Sequence, residues 1–339
     1  MTQPARPGNL LGLHHIATQS RDVERSADFY SRILGLRDLG SGTAPLITPD
    51  STGRIIEVPA RFFGDGSASA GSLIAVLDRP GVEQGAPGIG GTHHFALCVA
   101  DREVLLMWKR RFLDEGYRVN GILDRHYFKS IYVQDPDGTI VELATRGPGW
   151  TIDEPADRIG EEHREPPVEM VNTNRDRARI AAENWPEPVP EITEKMRLQG
   201  MHHVTAIGTS IERTHDFVAQ RLGMRRVKRT NNFDDIQSYH WYWGVGDGRP
   251  GTLVTYFERS PARERPVRMG TGQVTHYGIA AARDDIEPVR EVVERAGLPV
   301  SEPAEFGPDG ARFRAVATRD PDGQPVIVAA ATGPTSYGS

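Results

Sequence analysis

The 339-residue chain carries a single cysteine, Cys98. One thiol excludes both an intrachain disulfide framework and a thiolate metal cluster. No stretch approaches the roughly 18 consecutive apolar residues that a membrane span requires. The opening Met1-Thr2-Gln3-Pro4-Ala5-Arg6-Pro7 has no apolar run of the secretory kind, so a cytoplasmic location is expected. Basic residues are outnumbered, 40 Lys and Arg against 46 Asp and Glu, for a formal charge of −6. The basic footprint of a nucleic-acid binder is therefore missing. A composition 38% apolar and 25% charged is that of an ordinary globular protein, and the length suits two domains of roughly 150 residues.

What the chain does have is a His-led strand pattern that recurs four times. It reads Leu13-His14-His15-Ile16-Ala17, Thr92-His93-His94-Phe95-Ala96, Met201-His202-His203-Val204-Thr205 and Thr275-His276-Tyr277-Gly278. One device repeated at long separations indicates a duplicated module. Helical spacing follows each opening. Val23, Ala27, Tyr30, Ile33 and Leu34 predict a helix over residues 22–35, and Val104, Leu105, Trp108, Phe112 and Leu113 give an inward face to residues 101–117. Residues 211–222 and 285–296 complete the set, and each helix stops at a glycine. Alternating runs come next, among them Ser130-Ile131-Tyr132-Val133 and Thr139-Ile140-Val141-Glu142-Leu143. The turn sequence Asp135-Pro136-Asp137-Gly138 lies between those two, and Asp320-Pro321-Asp322-Gly323 repeats it. The reading is α+β, with four βαβββ modules. Modules 1 and 2 occupy residues 8–150, modules 3 and 4 occupy residues 198–335, and a linker rich in Pro and charge spans 151–197.

The chemistry is sought among the histidines and one acid. Adjacent residues of a strand face opposite ways, so at most one His of each pair is expected to point into a shared cavity. Glu142 interrupts the apolar run Ile140-Val141-Glu142-Leu143-Ala144, a costly position unless the acid is paired or holds a cation. Counted from its turn, module 4 has Ile327 at the corresponding place, so only one complete site is expected. His94 and Glu142 are two candidate ligands. Two imidazoles and one carboxylate form the facial triad of non-haem Fe(II) oxygenases, with open positions for substrate and O₂; the same donors suit Mn(II), and Zn(II) less well. The third ligand must come from another module, either His15 or His203. His276 has no acid beside it and reads as core. Trp241-Tyr242-Trp243 reads as core or pocket wall, and Asp234-Asp235 and Arg225-Arg226 as surface charge.

Two groups of segments carry a resemblance to a known family. Gly91 to Ala96, Asp124-Arg125-His126-Tyr127-Phe128-Lys129-Ser130-Ile131-Tyr132 and Glu142 to Trp150 form one; Met201 to Ile207, Lys228 to Asp235 and Tyr239 to Gly244 form the other. They resemble, respectively, the last and first modules of the hydroquinone-type ring-cleaving dioxygenases of the vicinal oxygen chelate superfamily. The order is inverted, so the chain resembles a circular permutation joined through the linker. The resemblance implies modules paired into two open-barrel cups, with modules 2 and 3 sharing a metal and modules 1 and 4 forming a metal-free partner. It carries the ligand set to His94, Glu142 and His203, with His15 as the alternative third ligand. It places Arg125 and Tyr132 at the substrate oxygens, His93 and His202 beside the ligands in proton transfer, and Thr205 on the strand face of His203. The implied cofactor is Fe(II), or Mn(II). The implied reaction is ring cleavage of a hydroquinone- or catechol-type diol by O₂, with no nucleic-acid or membrane partner; assembly into a homo-oligomer is left open. Glyoxalase-type isomerases and lyases of the same superfamily typically place more than one acid at the metal, which Ile327 speaks against. Metal-free binding proteins of the superfamily are disfavoured by the pair His94 and Glu142.

Overall fold

The structure, a computed structural model, describes residues 10–47, 55–66, 70–282 and 286–330. Four segments of the chain each run strand, helix, three strands. The first contains β1 (Leu10–Ser20), α1 (Val23–Asp28), β2 (Arg37–Ile47), β3 (Ile55–Gly64) and β4 (Leu73–Asp78). The second contains β5 (Thr92–Val99), α2 (Arg102–Asp114), β6 (Asn120–Asp124), β7 (Lys129–Gln134) and β8 (Ile140–Thr145). A connecting region supplies β9 (His163–Arg164) and α3 (Arg177–Ala182). Then come β10 (Met201–Gly208), α4 (Ile211–His215), β11 (Arg225–Asn232), β12 (Asp235–Gly244) and β13 (Leu253–Glu258), followed by β14 (Val274–Ala281), α5 (Ile286–Arg295), β15 (Ala304–Pro308), β16 (Phe313–Arg319) and β17 (Pro325–Ala330). The fourth expected helix began at Asp285, which lies outside the described residues. No helix among the described residues is long and apolar enough to cross a membrane.

The strands form two sheets, each combining two segments that are distant in sequence. Strands β1–β4 and β14–β17 close into an eight-stranded barrel, whereas β5–β8 and β9–β13 form a nine-stranded sheet in the order β6-β7-β8-β5-β10-β13-β12-β11-β9. Two open cups were expected, and only the second sheet stays open. Glycine explains the closure: β2 meets β15 through Gly42 and Gly307, where a Cβ on Gly42 would lie 2.1 Å from the Gly307 carbonyl oxygen. In the open sheet the equivalent edge is taken by the linker, since β9 pairs with β11 at Arg229↔His163 and Thr230↔Arg164. The linker is thus a working part of the sheet.

Side-chain alternation sorts each strand between two cores. In β17, Val326 and Val328 join the layer under the helices, while Ile327 and Ala329 fill the barrel with Phe62, Phe306 and Phe313. In β8, Val141 and Leu143 face the helices and Ala144 faces the opposite side with Phe128, Trp150 and Tyr242. Helix α2 is capped by the Asp101 side chain, which accepts from the Val104 N–H, and it buries Trp108 and Phe112. Leu113, expected inward, is 43% exposed: one residue past Phe112 is a step of about 100° around the helix and carries it off the apolar stripe. The linker is tied across α2 by donors of that helix. The Trp108 indole N–H donates to the Met196 carbonyl, the Lys109 ammonium to the Ile180 carbonyl, and the Arg111 guanidinium to the Pro190 carbonyl.

Both Asp-Pro-Asp-Gly turns fold their first Asp inward. Asp135 accepts from the backbone of Asp137 and Thr139 and from the Tyr30 hydroxyl; Asp320 accepts from the backbone of Asp322 and Gln324 and from the Tyr256 hydroxyl. The first turn is thereby anchored to the helical segment that follows α1, through Tyr30, and the second to β13, through Tyr256.

Candidate metal centre

The open sheet is sewn together where β5 pairs antiparallel with β10, and the histidine pairs sit on this seam. Thr205 is opposite His94, then Ala206 is opposite Thr92, so β5 carries an extra residue at His93; Met201 opposite Leu97 and His203 opposite Ala96 put another at His202. Each extra residue is a β-bulge, which turns its side chain away from strict alternation. Because of these bulges the neighbouring rings touch instead of facing fully opposite ways, yet only one of each pair, His94 and His203, lines the shared cavity, as expected. The rings of His93 and His94 meet edge-to-face with Nδ1 atoms 2.7 Å apart, and those of His202 and His203 with Nδ1 atoms 2.9 Å apart.

These contacts fix protons. His202 Nε2 lies 3.1 Å from the Thr145 carbonyl oxygen, which can only accept, so Nε2 carries the hydrogen. Burial lowers the His202 imidazole to about 3, with His203 acting in the same direction, so the ring is neutral and its Nδ1 is bare. His203 must therefore donate from Nδ1, which leaves the lone pair of its Nε2 pointing into the site. Second-layer partners of this kind set the tautomer of metal-binding histidines. His93 is likewise lowered to about 3 by burial and by His94.

Glu142 completes the cluster. Its Oε2 lies 2.8 Å from His94 Nε2 and 3.2 Å from His203 Nε2, and the two Nε2 atoms are 3.2 Å apart. The side chain has no solvent exposure, and neither carboxylate oxygen is met in hydrogen-bonding geometry. Burial acts to raise Glu142, and positive charge beside it, on protonated imidazoles or on a cation in their place, is what holds the carboxyl well below the usual range. A buried carboxylate whose closest neighbours are two nitrogen lone-pair donors is an arrangement suited to a divalent cation. Among the described residues, His94, Glu142 and His203 are the group of such donors whose atoms all lie within 4.8 Å of one another. His15 is elsewhere: its Nε2 faces His276 Nε2 at 2.9 Å in the barrel, beside Ile327 rather than an acid.

The remaining residues singled out in the sequence surround the cluster. The Tyr132 hydroxyl oxygen accepts from Arg125 Nη2 at 3.1 Å, and the Tyr132 ring packs edge-on against His94. Burial raises the Tyr132 phenol well above its ordinary value, with Arg125 pulling the other way, so it is a proton donor rather than a phenolate. Thr205 Oγ1 is 3.0 Å from His94 Nε2. A cavity of about 20 Å³ lies above the cluster, with Arg125, Phe128, Tyr132, Phe233 and His240 in its wall.

Two residues at this site were not singled out as functional. Asp234, read as surface charge, pairs with Arg125 at 2.9 Å and also contacts Arg175 of the linker. His240 lines the cavity through a hydrogen bond to Thr255. Its signal in the sequence was a polar residue amid the aromatic run Tyr239-His240-Trp241-Tyr242-Trp243. Of that run Trp241, Tyr242 and Trp243 are buried, with Tyr242 facing the site.

A profile of the Glyoxalase/Bleomycin resistance protein/Dioxygenase superfamily matches residues 12–143 and 200–328. The chain belongs to this superfamily. Among curated superfamily proteins it is similar to a putative ring-cleaving dioxygenase, MhqA, of Bacillus subtilis strain 168, at 37% identity over 108 residues. It is also similar to a chlorohydroquinone/hydroquinone 1,2-dioxygenase of Sphingobium indicum, at 33% identity over 115 residues. These alignments cover 32% and 33% of this chain and 34% and 35% of the relatives, about a third of each. In fold, the chain is similar to the crystal structure of a putative dioxygenase from Bacillus subtilis, with TM-score 0.67, 19% identity and coverage of 98% of this chain and 88% of that one. It is also similar to glyoxalase I of Zea mays, with TM-score 0.58, 16% identity and coverage of 94% and 92%.

Proposed function

We propose that the chain is an Fe(II)-dependent dioxygenase that cleaves the ring of a hydroquinone- or catechol-type substrate with O₂. The observation that carries this reading is Glu142, fully buried between two imidazole Nε2 atoms and without a hydrogen-bonded partner. His94, His203 and Glu142 would hold the ion, leaving positions beside them open. The metal would supply a template and an electron conduit that brings diol and O₂ together. Names of the curated relatives support the substrate class.

The chain's own residues then have separate tasks. Arg125 is a fixed cation at the cavity wall and favours a phenolate over a phenol. Because the Tyr132 oxygen accepts from Arg125, its hydrogen is directed to an acceptor in the cavity, as a general acid requires. Phe128 and Phe233 exclude water and offer flat apolar surfaces to an aromatic ring. His202 and His93 hold the ligand rings by their Nδ1 atoms.

Iron content after anaerobic loading, read together with O₂ uptake on a panel of hydroquinones and catechols, tests the reading. About one iron per chain is expected, lost in Glu142→Ala and His203→Ala with the circular dichroism unchanged. His15→Ala should keep both iron and activity. Iron retained at full stoichiometry in Glu142→Ala defeats the assignment.

A further inference from the structure

His240 stands at the head of a hydrogen-bonded chain that ends at the metal cluster. Tyr242 hydroxyl is 3.0 Å from His240 Nδ1, and His240 Nε2 is 2.9 Å from Thr255 Oγ1. Thr255 Oγ1 donates to Thr205 Oγ1 at 2.8 Å, and Thr205 Oγ1 is 3.0 Å from His94 Nε2.

The direction of every link follows from that one donor. Thr255 has a single hydroxyl hydrogen and gives it to Thr205, so its oxygen can only accept from His240 Nε2–H. A neutral His240 with its hydrogen on Nε2 is bare at Nδ1 and accepts from Tyr242. Thr205, already receiving a hydrogen, has its own free to donate toward His94 Nε2 and the space beside it. Once that lone pair is taken by a metal ion, the hydrogen has to find another acceptor in the cavity. Phe257 packs edge-on to His240 at 4.4 Å, which holds the ring in this orientation.

We propose that His240 is a positioning residue that makes the Thr205 hydroxyl a permanent donor to a phenolate oxygen bound beside His94. This rests on the metal-site reading above. A hydroxyl that is free to rotate gives no preference between a phenol and a phenolate, because it can donate to one and accept from the other. A hydroxyl locked as a donor stabilises the phenolate more than the phenol, because the bond to the anion is charge-assisted. The chain thus adds to Arg125 a second device for selecting the ionised diol, built from four neutral side chains behind the metal.

The test uses the full chain loaded with Zn(II), a redox-inert ion, and 4-nitrocatechol, whose ionisation is visible in its absorption spectrum. Wild type should bind the dye as its anion at neutral pH. His240→Phe keeps a flat ring but removes both nitrogens, and dye affinity should fall about tenfold, with the bound dye ionising at higher pH. His240→Gln keeps an N–H for Thr255 and should stay within about threefold of wild type. Thr255→Val, which cuts the next link, should match His240→Phe. In a Thr205→Val background, His240→Phe should cost nothing further. Zinc stoichiometry should be unchanged in the three single variants at His240 and Thr255. If wild type binds zinc and dye but His240→Phe binds the dye equally well, or if its effect persists in Thr205→Val, the inference is overturned and the metal reading stands. If wild type takes up neither zinc nor dye, the metal reading itself fails.

Discussion

Asp234 and Arg125 form an ion pair of 2.9 Å at the edge of the cavity that His94 and His203 line. Asp234 is shared, since its other oxygen contacts Arg175 of the linker, whose own Nε donates to the Met170 carbonyl. Phe233, the neighbour of Asp234, is in the cavity wall. The β11–β12 turn is therefore latched from both sides over a cavity of about 20 Å³, far less than the space an aromatic diol fills.

This latch predicts a kinetic effect. In Asp234→Asn the turn is released, Arg125 loses its anchor, and a chelator should strip a bound ion several-fold faster at unchanged equilibrium affinity. KM for a diol should rise by about 3- to 10-fold, as expected for a charge-assisted contact discounted for its partial exposure. Stopped-flow chelation checks the first outcome and steady-state kinetics the second. An unaltered stripping rate would leave the turn without a gating role.

The buried turn aspartates predict how stability responds to pH. Burial raises Asp320 to about 7 and Asp135 to about 6, against the hydrogen bonds they accept. A carboxyl raised on folding binds its proton more tightly in the folded chain. Its contribution is complete below the ordinary Asp value near 4 and is lost as pH rises through the folded value. Wild-type stability against urea should therefore decline between about pH 4 and pH 7 relative to an Asp135→Asn/Asp320→Asn variant. The gap between the two proteins should widen with pH; a constant gap would mean that these carboxyls ionise normally.

The barrel offers a complementary prediction. Ile327 pairs with Gly278 and Ala317 as Glu142 pairs with Ala96 and Tyr132, and His15 faces His276 as His203 faces His94. Ile327→Glu supplies the missing acid. Without an ion the buried carboxyl should destabilise the fold by about 3 kcal/mol. A divalent ion should restore the thermal midpoint and raise the stoichiometry from one ion to two. Failure of the ion to rescue would limit the likeness of the two sheets to their backbones.

Which features the sequence disclosed follows from their range. Glu142 stood out because an acid inside a six-residue apolar strand is a local contradiction, and the turns because Pro and Gly fix backbone angles locally. Closure of one sheet was hidden, since it depends on Gly42 meeting Gly307 from the far end of the chain. The bulges were hidden for a related reason: an extra residue is defined only against the opposite strand. Asp234 read as surface charge because Arg125 and Arg175 reach it from distant elements. Leu113 differs from its expected place by a single helical step, enough to carry it past the edge of the apolar stripe.

The seam between β5 and β10 has one more consequence, for the order of events during synthesis. His94 and Glu142 emerge from the ribosome early, with the linker still to come, whereas His203 belongs to the later half. A nascent first half carries only two of the three candidate donors. An ion held by His94, Glu142 and His203 would therefore load only after β10 has zipped onto β5, and would then join two stretches of polypeptide made at different times.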